Sequence, residues 1–408
     1  MTAAGIDLPA GAGARPGLWV FSTLFFLEAM ARASLIAIVP LQTYSLLKEA
    51  RYVSYLTFVM AVFGLLAGLA IPMLIRHLSR RWTYTLGAIS IAGAAAAFAV
   101  QTVPGQIAGM GLRGFGALCL NIALMLYIMD FVRKHDLVRN DTRRLAVGTF
   151  AWTLGPYLGV WLFQHLGPAA AYGWSALWAV LLVVTFWVVR MSDSGVIIPA
   201  KSPPANPLEF VPKFLAQPRL MLAWTIAFGR SAFWSTLFVY GAILMQKSGV
   251  TFDFGPIHIS NSDAAGLLIS ASQLLLVSSL MWGRIAVRRG LRAVIAVCFA
   301  GMSVTLLGAG FAGELSPKLA AAALLATAFF CTGLDSVGGV VFYRAVKARE
   351  RAPMTAVYRT YLEIGDLIPN LIYGIILLWL PLGAVFAADG LACAAFAAVC
   401  WRYLPRGM

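Results

Sequence analysis

Cys331 to Asn370 reads CTGLDSVGGVVFYRAVKARERAPMTAVYRTYLEIGDLIPN. It is an apolar run holding one carboxylate, Asp335, then a basic turn from Arg344 to Arg351, then a second apolar run carrying Arg359, Glu363 and Asp366. Apolar runs of this kind match a helical crossing of a hydrocarbon core of roughly 30 Å. A charge near the middle of such a helix costs roughly 2.5 to 3.5 kcal/mol on insertion scales, so these residues are expected to face a protein interior or a water-filled path.

The rest of the chain repeats the pattern. Its 408 residues are 61% hydrophobic and 12% charged, with a mean hydropathy of +0.83, whereas a soluble domain carries about 25% charged residues. Twelve apolar stretches are expected to be helical crossings. The first six fall near 18–46, 52–75, 82–103, 106–132, 145–165 and 168–190, and the second six near 219–246, 262–283, 292–313, 318–343, 354–380 and 382–402. The fold class is therefore an all-α polytopic membrane protein.

The net charge of +15 would point to nucleic acid in a soluble protein, but here the basic residues sort by loop. Arg76, Arg80 and Arg81 follow span 2; Arg133, Lys134, Arg139, Arg143 and Arg144 follow span 4; Arg190, Lys201, Lys213 and Arg219 follow span 6. Arg284, Arg288, Arg289 and Arg292 follow span 8, and Arg344, Lys347, Arg349 and Arg351 follow span 10. The alternate loops hold only Lys48, Arg51, Lys247 and Lys318. Under the positive-inside rule both termini are cytoplasmic, and no nucleic-acid partner is expected.

Cys119, Cys298, Cys331, Cys393 and Cys400 all lie in apolar runs without paired spacing, and His77, His135, His165 and His258 are far apart. Neither a disulfide framework nor a metal site is indicated. No Walker loop, G-x-S-x-G or H-E-x-x-H occurs, so neither an enzyme nor a bound cofactor is expected.

SDSGVIIPAKSPPANPLEFVPKFLAQPR, after span 6, clusters Pro and polar residues without apolar periodicity and reads as a solvated linker. It divides the chain into 1–190, a cytoplasmic linker at 191–217, and 218–408. The flanking parts look like repeats. Pro16-Gly-Leu and Pro218-Arg-Leu differ by 202 (218 − 16), and Gly155 in TLGPYLG and Gly365 in EIGDLIP differ by 210 (365 − 155). The longer loop after span 7, KSGVTFDFGPIHISNSD, absorbs the difference.

At these positions the chain resembles the major facilitator superfamily, whose loops after helices 2 and 8 carry G-x-x-x-D-R-x-G-R-[RK]. The second copy keeps Gly283, Arg288, Gly290 and Arg292, with Val287 at the Asp position; the first has Pro72 and Arg76 at the Gly and Asp positions and keeps Arg80 and Arg81. Arg113-Gly-Phe-Gly116 in span 4 and Gly148-x6-Gly155-Pro156-x2-Gly159 in span 5 also resemble family patterns. AWTIAFGRSAFW and FYRAVKARERAPMTAVYRTYLEIGDLIP are similar to the bacterial group of copper importers and riboflavin transporters (the CcoA-like group), but spans 7 and 8 lack the paired Met and His of its copper members.

The resemblance implies two pseudo-symmetric six-helix bundles in a bacterial inner membrane. It also implies a monomeric secondary transporter that moves a small polar or aromatic solute by alternating access, coupled to an ion such as a proton. Spans 1, 4, 7 and 10 would then line a central cavity. The alternatives are a proton-coupled drug or metabolite exporter, a copper importer, and a non-transporting receptor or assembly factor on the same scaffold.

At about 1.5 Å per residue, Glu28, Arg230, Asp335 and Glu363 share a depth of about 12 to 17 Å. With Arg32, Arg113, Trp234, Arg359 and Asp366 they form the candidate binding and coupling set. Glu28–Arg32 and Arg359–Glu363 could instead be self-satisfied i,i+4 pairs, Glu28 could reach Arg230, and Arg113 could bond to carbonyls. Arg359, Glu363 and Asp366 are expected on one helical face. Asp335 and Asp366 are the carboxylates expected to lack a close arginine. Trp152, Trp234, Tyr240, Tyr358 and Tyr361 are candidates to stack on a flat ligand, and Gly338-Gly339, Gly365 and Pro369 suggest broken helices nearby. Asp130 with Arg76, Arg80 and Arg81, and Gly283, Arg288, Gly290 and Arg292, are expected to form a cytoplasmic gate network.

Overall fold

The computed structural model describes residues 18–131, 137–189, 207–249, 251–254, 257–346 and 350–405. Among them, ten helices are long and apolar enough to cross a membrane: Trp19–Leu47, Ala50–Gly68, His77–Ala99, Val103–Ile128, Ala146–His165, Pro168–Val189, Asn261–Arg289, Leu291–Ala312, Pro317–Ala345 and Gly383–Tyr403. The two remaining expected spans, 7 and 11, are interrupted helices, which brings the crossings to twelve. Span 7 runs Pro218–Thr236, passes through a π-helical turn at Leu237–Gly241, and ends in Ala242–Ser248. Span 11 is Arg351–Tyr358 followed by Tyr361–Ile376.

The breaks have local causes. Span 1 is Leu18–Ala33 and Ile38–Leu47, joined by a tightened turn in which Leu35 and Ile36 donate to the carbonyls three residues back. Ser34 Oγ donates to the Met30 carbonyl at 2.7 Å, a back-bond that bends helices. Span 5 fits against the bend because its facing residues are glycines. A Cβ at Gly155 would meet that of Ala33 at 2.7 Å, and one at Gly159 would overlap the Ser34 carbonyl oxygen. Gly365 on span 11 approaches Ser231 on span 7 as closely, at 2.8 Å, so the matched glycines dock matched helices.

Spans 2 and 3 meet at Ser79 (φ 66°, ψ 161°), spans 8 and 9 at Gly290 (φ 85°, ψ 152°). Both sit in a region essentially reserved for glycine. Large apolar side chains point outward along the spans, among them Val188, Val304, Phe311 and Trp379, each more than 70% exposed; a surface of this kind suits lipid. One apolar core, around Phe21, Tyr84, Tyr127 and Phe186, lies within the first six spans. A larger one fills the last six and extends onto Leu35–Val53 and Val160–Tyr172.

Three expectations change here. The segment expected as a solvated linker contains a helix, Pro207–Leu215, whose Phe214 is buried; Phe210 and Phe214, one turn apart, supply an apolar edge that the prolines in and around it masked. The loop after span 7 carries two short antiparallel strands, Phe252–Phe254 and Ile257–Ile259, paired with Phe254 opposite Ile257. Gly338-Gly339 does not break span 10, which is helical from Pro317 to Ala345; the interruptions fall in spans 1, 7, 8 and 11 instead.

Candidate functional site

Span 1 places Glu28 and Arg32 one turn apart just before its bend. Arg32 Nη1 donates to Glu28 Oε1 at 2.9 Å, Glu28 is fully buried, and Arg32 stays a quarter exposed. Arg113 on span 4 donates from Nη2 to the Arg32 carbonyl at 3.1 Å. That carbonyl also accepts from the Leu35 N–H at 3.3 Å in the tightened turn, so Arg113 takes its second lone pair. The Arg32 guanidinium lies 5.9 Å from the ring centre of Trp152 on span 5, within range of a cation–π contact.

The last six spans build a second cluster. Arg230 on span 7 pairs with Asp335 on span 10 through Nη1 and Oδ1, and its Nη2 donates to the Tyr361 hydroxyl at 3.0 Å. Trp234, one turn beyond Arg230, donates from Nε1 to the other Asp335 oxygen at 3.2 Å. Both oxygens of Asp335 and two nitrogens of Arg230 are therefore engaged, which a buried ion pair requires. Asp366 is exposed and sits beside Ser235 of span 7.

Phe238, in the π-helical turn of span 7, joins the clusters. It stacks on Trp234 (5.7 Å between ring centres, 27°) and on Trp152 (6.3 Å, 15°). A band of alternating charge and aromatic surface thus runs from Arg32 through Trp152, Phe238 and Trp234 to Asp335 and Arg230.

Bonds between the first and last six spans gather at the end of the membrane away from Leu18. The Tyr240 hydroxyl donates to Asn370 Oδ1 and shares a hydrogen bond with the Ser54 hydroxyl, each at 2.7 Å. Tyr55 donates to the Gly374 carbonyl at 3.2 Å, Tyr157 N–H to Ser270 Oγ at 3.0 Å, and His165 Nε2 lies 3.4 Å from Asp263. Gly266 allows the close approach: a Cβ there would meet the Pro156 carbonyl at 3.0 Å. These links close the molecule on that side.

Several expectations are revised. Asp335 is the partner of Arg230, so it is not a carboxylate lacking a close arginine, and Arg230 does not take Glu28. Arg359 stands in the break between Tyr358 and Tyr361 rather than on a continuous face with Glu363 and Asp366, and among the described residues it makes no ion pair with Glu363 within 4 Å. Tyr240 is buried in the closed end, and Tyr358 stacks on Phe342 at 4.2 Å, so neither is left for a ligand. Of the gate residues, the side chains of Arg76 and Asp130 lie outside the described residues. Arg81 stacks on Trp187 at 3.8 Å and Arg292 on Trp401 at 4.6 Å. Gly283 faces Ser336, and Arg80, Arg288 and Arg289 lie at the same end of the bundle.

Other residues escaped the sequence reading. Phe238 carries no signal beyond being aromatic. Asp389, the one carboxylate of span 12, is buried beside Thr236 and Tyr373, and its isolation in an apolar run was the available clue. Gln42, Gln106 and Tyr172 form a buried network, with Gln42 Nε2 donating to Gln106 Oε1 at 3.0 Å and Tyr172 bonded to Gln42.

The family profile described as Major Facilitator Superfamily matches residues 21–260. Comparison with curated proteins gave no significant match. Among solved structures, a peptide transporter POT in complex with sulfate superposes with a TM-score of 0.77 at 14% identity, covering 97% of this chain and 97% of that one. A POT family transporter in complex with 5-aminolevulinic acid gives 0.76 at 10% identity, covering 94% and 95%. The nucleoside transporter NupG gives 0.71 at 14% identity, covering 95% and 100%. With the profile covering more than half of its length and transporters of that fold superposing end to end, the chain belongs to the Major Facilitator Superfamily, as a multi-pass membrane transporter and not an enzyme.

Proposed function

We propose that this transporter carries a small zwitterionic solute with an apolar or aromatic body, held at mid-depth between spans 1, 4 and 5 on one side and spans 7, 10 and 11 on the other. The band from Arg32 to Arg230 carries this reading, because its two ends differ in formal charge. On the first side two guanidiniums, Arg32 and Arg113, stand against one carboxylate, Glu28. On the other, one guanidinium, Arg230, stands against Asp335 and Asp366. A solute carboxylate would settle toward Arg32 and a solute ammonium toward Asp366, with the Trp152–Phe238–Trp234 ladder against its body. Of the ligands in the structures above, 5-aminolevulinic acid is a zwitterion of that kind.

Transport in this reading proceeds by alternating access between two six-helix units, 1–190 and 218–408, joined by 191–217 in the cytoplasm of a bacterial inner membrane, with both termini on that side and a single chain as the working unit. Asp366, which has no guanidinium in ion-pair range among the described residues, is the carboxylate left to bind a coupling proton. The links of Tyr240, Tyr55 and Tyr157 hold the far side shut while the site opens toward the termini.

Uptake by proteoliposomes under an imposed pH gradient tests this. Amino acids, dipeptides, nucleosides and flavins would be supplied singly, in both directions. Accumulation of an amino-acid-like or dipeptide-like zwitterion that collapses in Asp366→Asn is expected. Transport of nucleosides or flavins alone would move the solute class, and gradient-independent flux would remove the proton from the account.

A further inference from the structure

We propose that the groove between spans 8 and 9 is a binding site for one anionic phospholipid. The groove is about 520 Å³, with Trp282 and Ile285 of span 8 and Ala293 and Val294 of span 9 as its apolar walls, and Arg288 and Arg289 at its mouth. Trp282 is a fixed surface: its Nε1 donates to the Phe329 carbonyl at 3.0 Å and its ring packs against Phe329 and Phe330. Gly333 makes room for it, since a Cβ there would meet the indole at 3.0 Å.

The charges at the mouth are uncommitted. Arg288 and Arg289 are exposed, and among the described residues neither has a carboxylate within ion-pair range. Arg32, Arg113, Arg230 and Arg292 are by contrast engaged: Arg32 with Glu28, Arg113 with a carbonyl, Arg230 with Asp335, Arg292 on Trp401. Their depth is fixed by a neighbour. Val287 is 89% exposed, and Val297 in the opposite wall and Leu280 two turns earlier are also exposed, so hydrocarbon reaches the last turn of span 8. The chain then reverses at Gly290. Arg288 and Arg289 therefore sit where hydrocarbon gives way to headgroups, with an apolar slot beneath them.

The occupant follows from both halves of the groove. Two adjacent guanidiniums select a phosphate that carries net negative charge, and an apolar slot opening to lipid selects an acyl chain. A second copy or a partner helix does not fit. A helix is about 10 Å wide, so this volume would take little more than one of its turns. This site is separate from the solute band and does not depend on the identity of the solute.

The test is native mass spectrometry of the full-length protein, released from mixed micelles holding phosphatidylglycerol and phosphatidylcholine of the same chain length. One phosphatidylglycerol is expected to be retained on the order of tenfold more strongly than phosphatidylcholine. The preference should vanish in the double variant Arg288→Gln, Arg289→Gln, which removes exposed charges that no described residue uses. Ala293→Phe, which fills the slot without changing charge, should lose the bound lipid as well. The control double variant Arg219→Gln, Arg402→Gln removes the same charge elsewhere at that end and should keep the preference. Equal retention of the two lipids, equal loss in the control, or displacement of the lipid by inorganic phosphate alone would each overturn the proposal.

Discussion

The first and last six spans solve the same problem differently. Each carries arginine at mid-depth, and in each the first helix meets a partner helix through a glycine, Gly155 of span 5 against Ala33 of span 1 and Gly365 of span 11 against Ser231 of span 7. In the first six, the second arginine, Arg113, has no carboxylate in ion-pair range among the described residues and donates to the Arg32 carbonyl, in the turn that bends at Ser34. In the last six, Arg230 and Asp335 form a closed pair with hydroxyl and indole donors at its rim, and an extra carboxylate, Asp366, is left nearby. Repeats that keep the backbone and diverge in charge would give the proposed site two unlike ends. A symmetric site would not orient a zwitterion.

Breaking the closed pair has the largest expected effect. Arg230→Ala leaves Asp335 uncompensated and should cost about 3 kcal/mol, the usual penalty for removing one partner of a buried pair. The double variant Arg230→Ala, Asp335→Asn should recover most of that stability in thermal unfolding and none of the solute binding. Recovery of both would mean that the pair only holds helices together. Next is the bend. Gly159→Val should lower stability by about 1 to 3 kcal/mol through overlap with the Ser34 carbonyl, whereas Gly283→Ala, which meets only the Ser336 hydroxyl at 3.3 Å, should be close to neutral in the same melt.

The turn pair sharpens the comparison further. Ser79 and Gly290 share one backbone conformation, so Gly290→Ser should destabilise by about 1 to 2 kcal/mol and Ser79→Gly should stabilise by about 1 kcal/mol. Opposite signs measured by chemical denaturation would establish the equivalence of the two turns, and equal signs would refute it. The smallest effect is Tyr240→Phe. Loss of its bonds to Ser54 and Asn370 should shift the balance toward the state open on the far side by about 1 kcal/mol, visible as faster amide hydrogen exchange at the far-side ends of spans 2 and 11.

How much of this could be read from the chain depends on which force set each feature. Span positions followed hydrophobicity and came out within a few residues, because the cost of unpaired backbone in hydrocarbon leaves few options. The Glu28–Arg32 pair was legible from i,i+4 spacing. The pairing of Arg230 with Asp335 was not, since spans 7 and 10 meet through packing that no local pattern encodes. Arg359 shows the opposite failure: its spacing to Glu363 was right for a helix, but the helix ends beneath it. The helix at Pro207–Leu215 was hidden because proline spacing spoke more loudly than two phenylalanines. Phe238 was invisible because its role depends on the π-helical turn that carries it between two tryptophans.

The unlike ends of the site can be tested with three ligands. A dipeptide with an aromatic side chain, its N-acetyl derivative and its C-terminal amide would be titrated into the purified protein by calorimetry. The free zwitterion is expected to bind. Blocking either end should cost about tenfold or more in affinity, with loss of the carboxylate contact reproduced by Arg32→Ala and loss of the ammonium contact by Asp366→Asn. A blocked ligand that binds as tightly as the parent, in the native protein and in both variants, would contradict the central claim that the charge difference between the two clusters orients the solute.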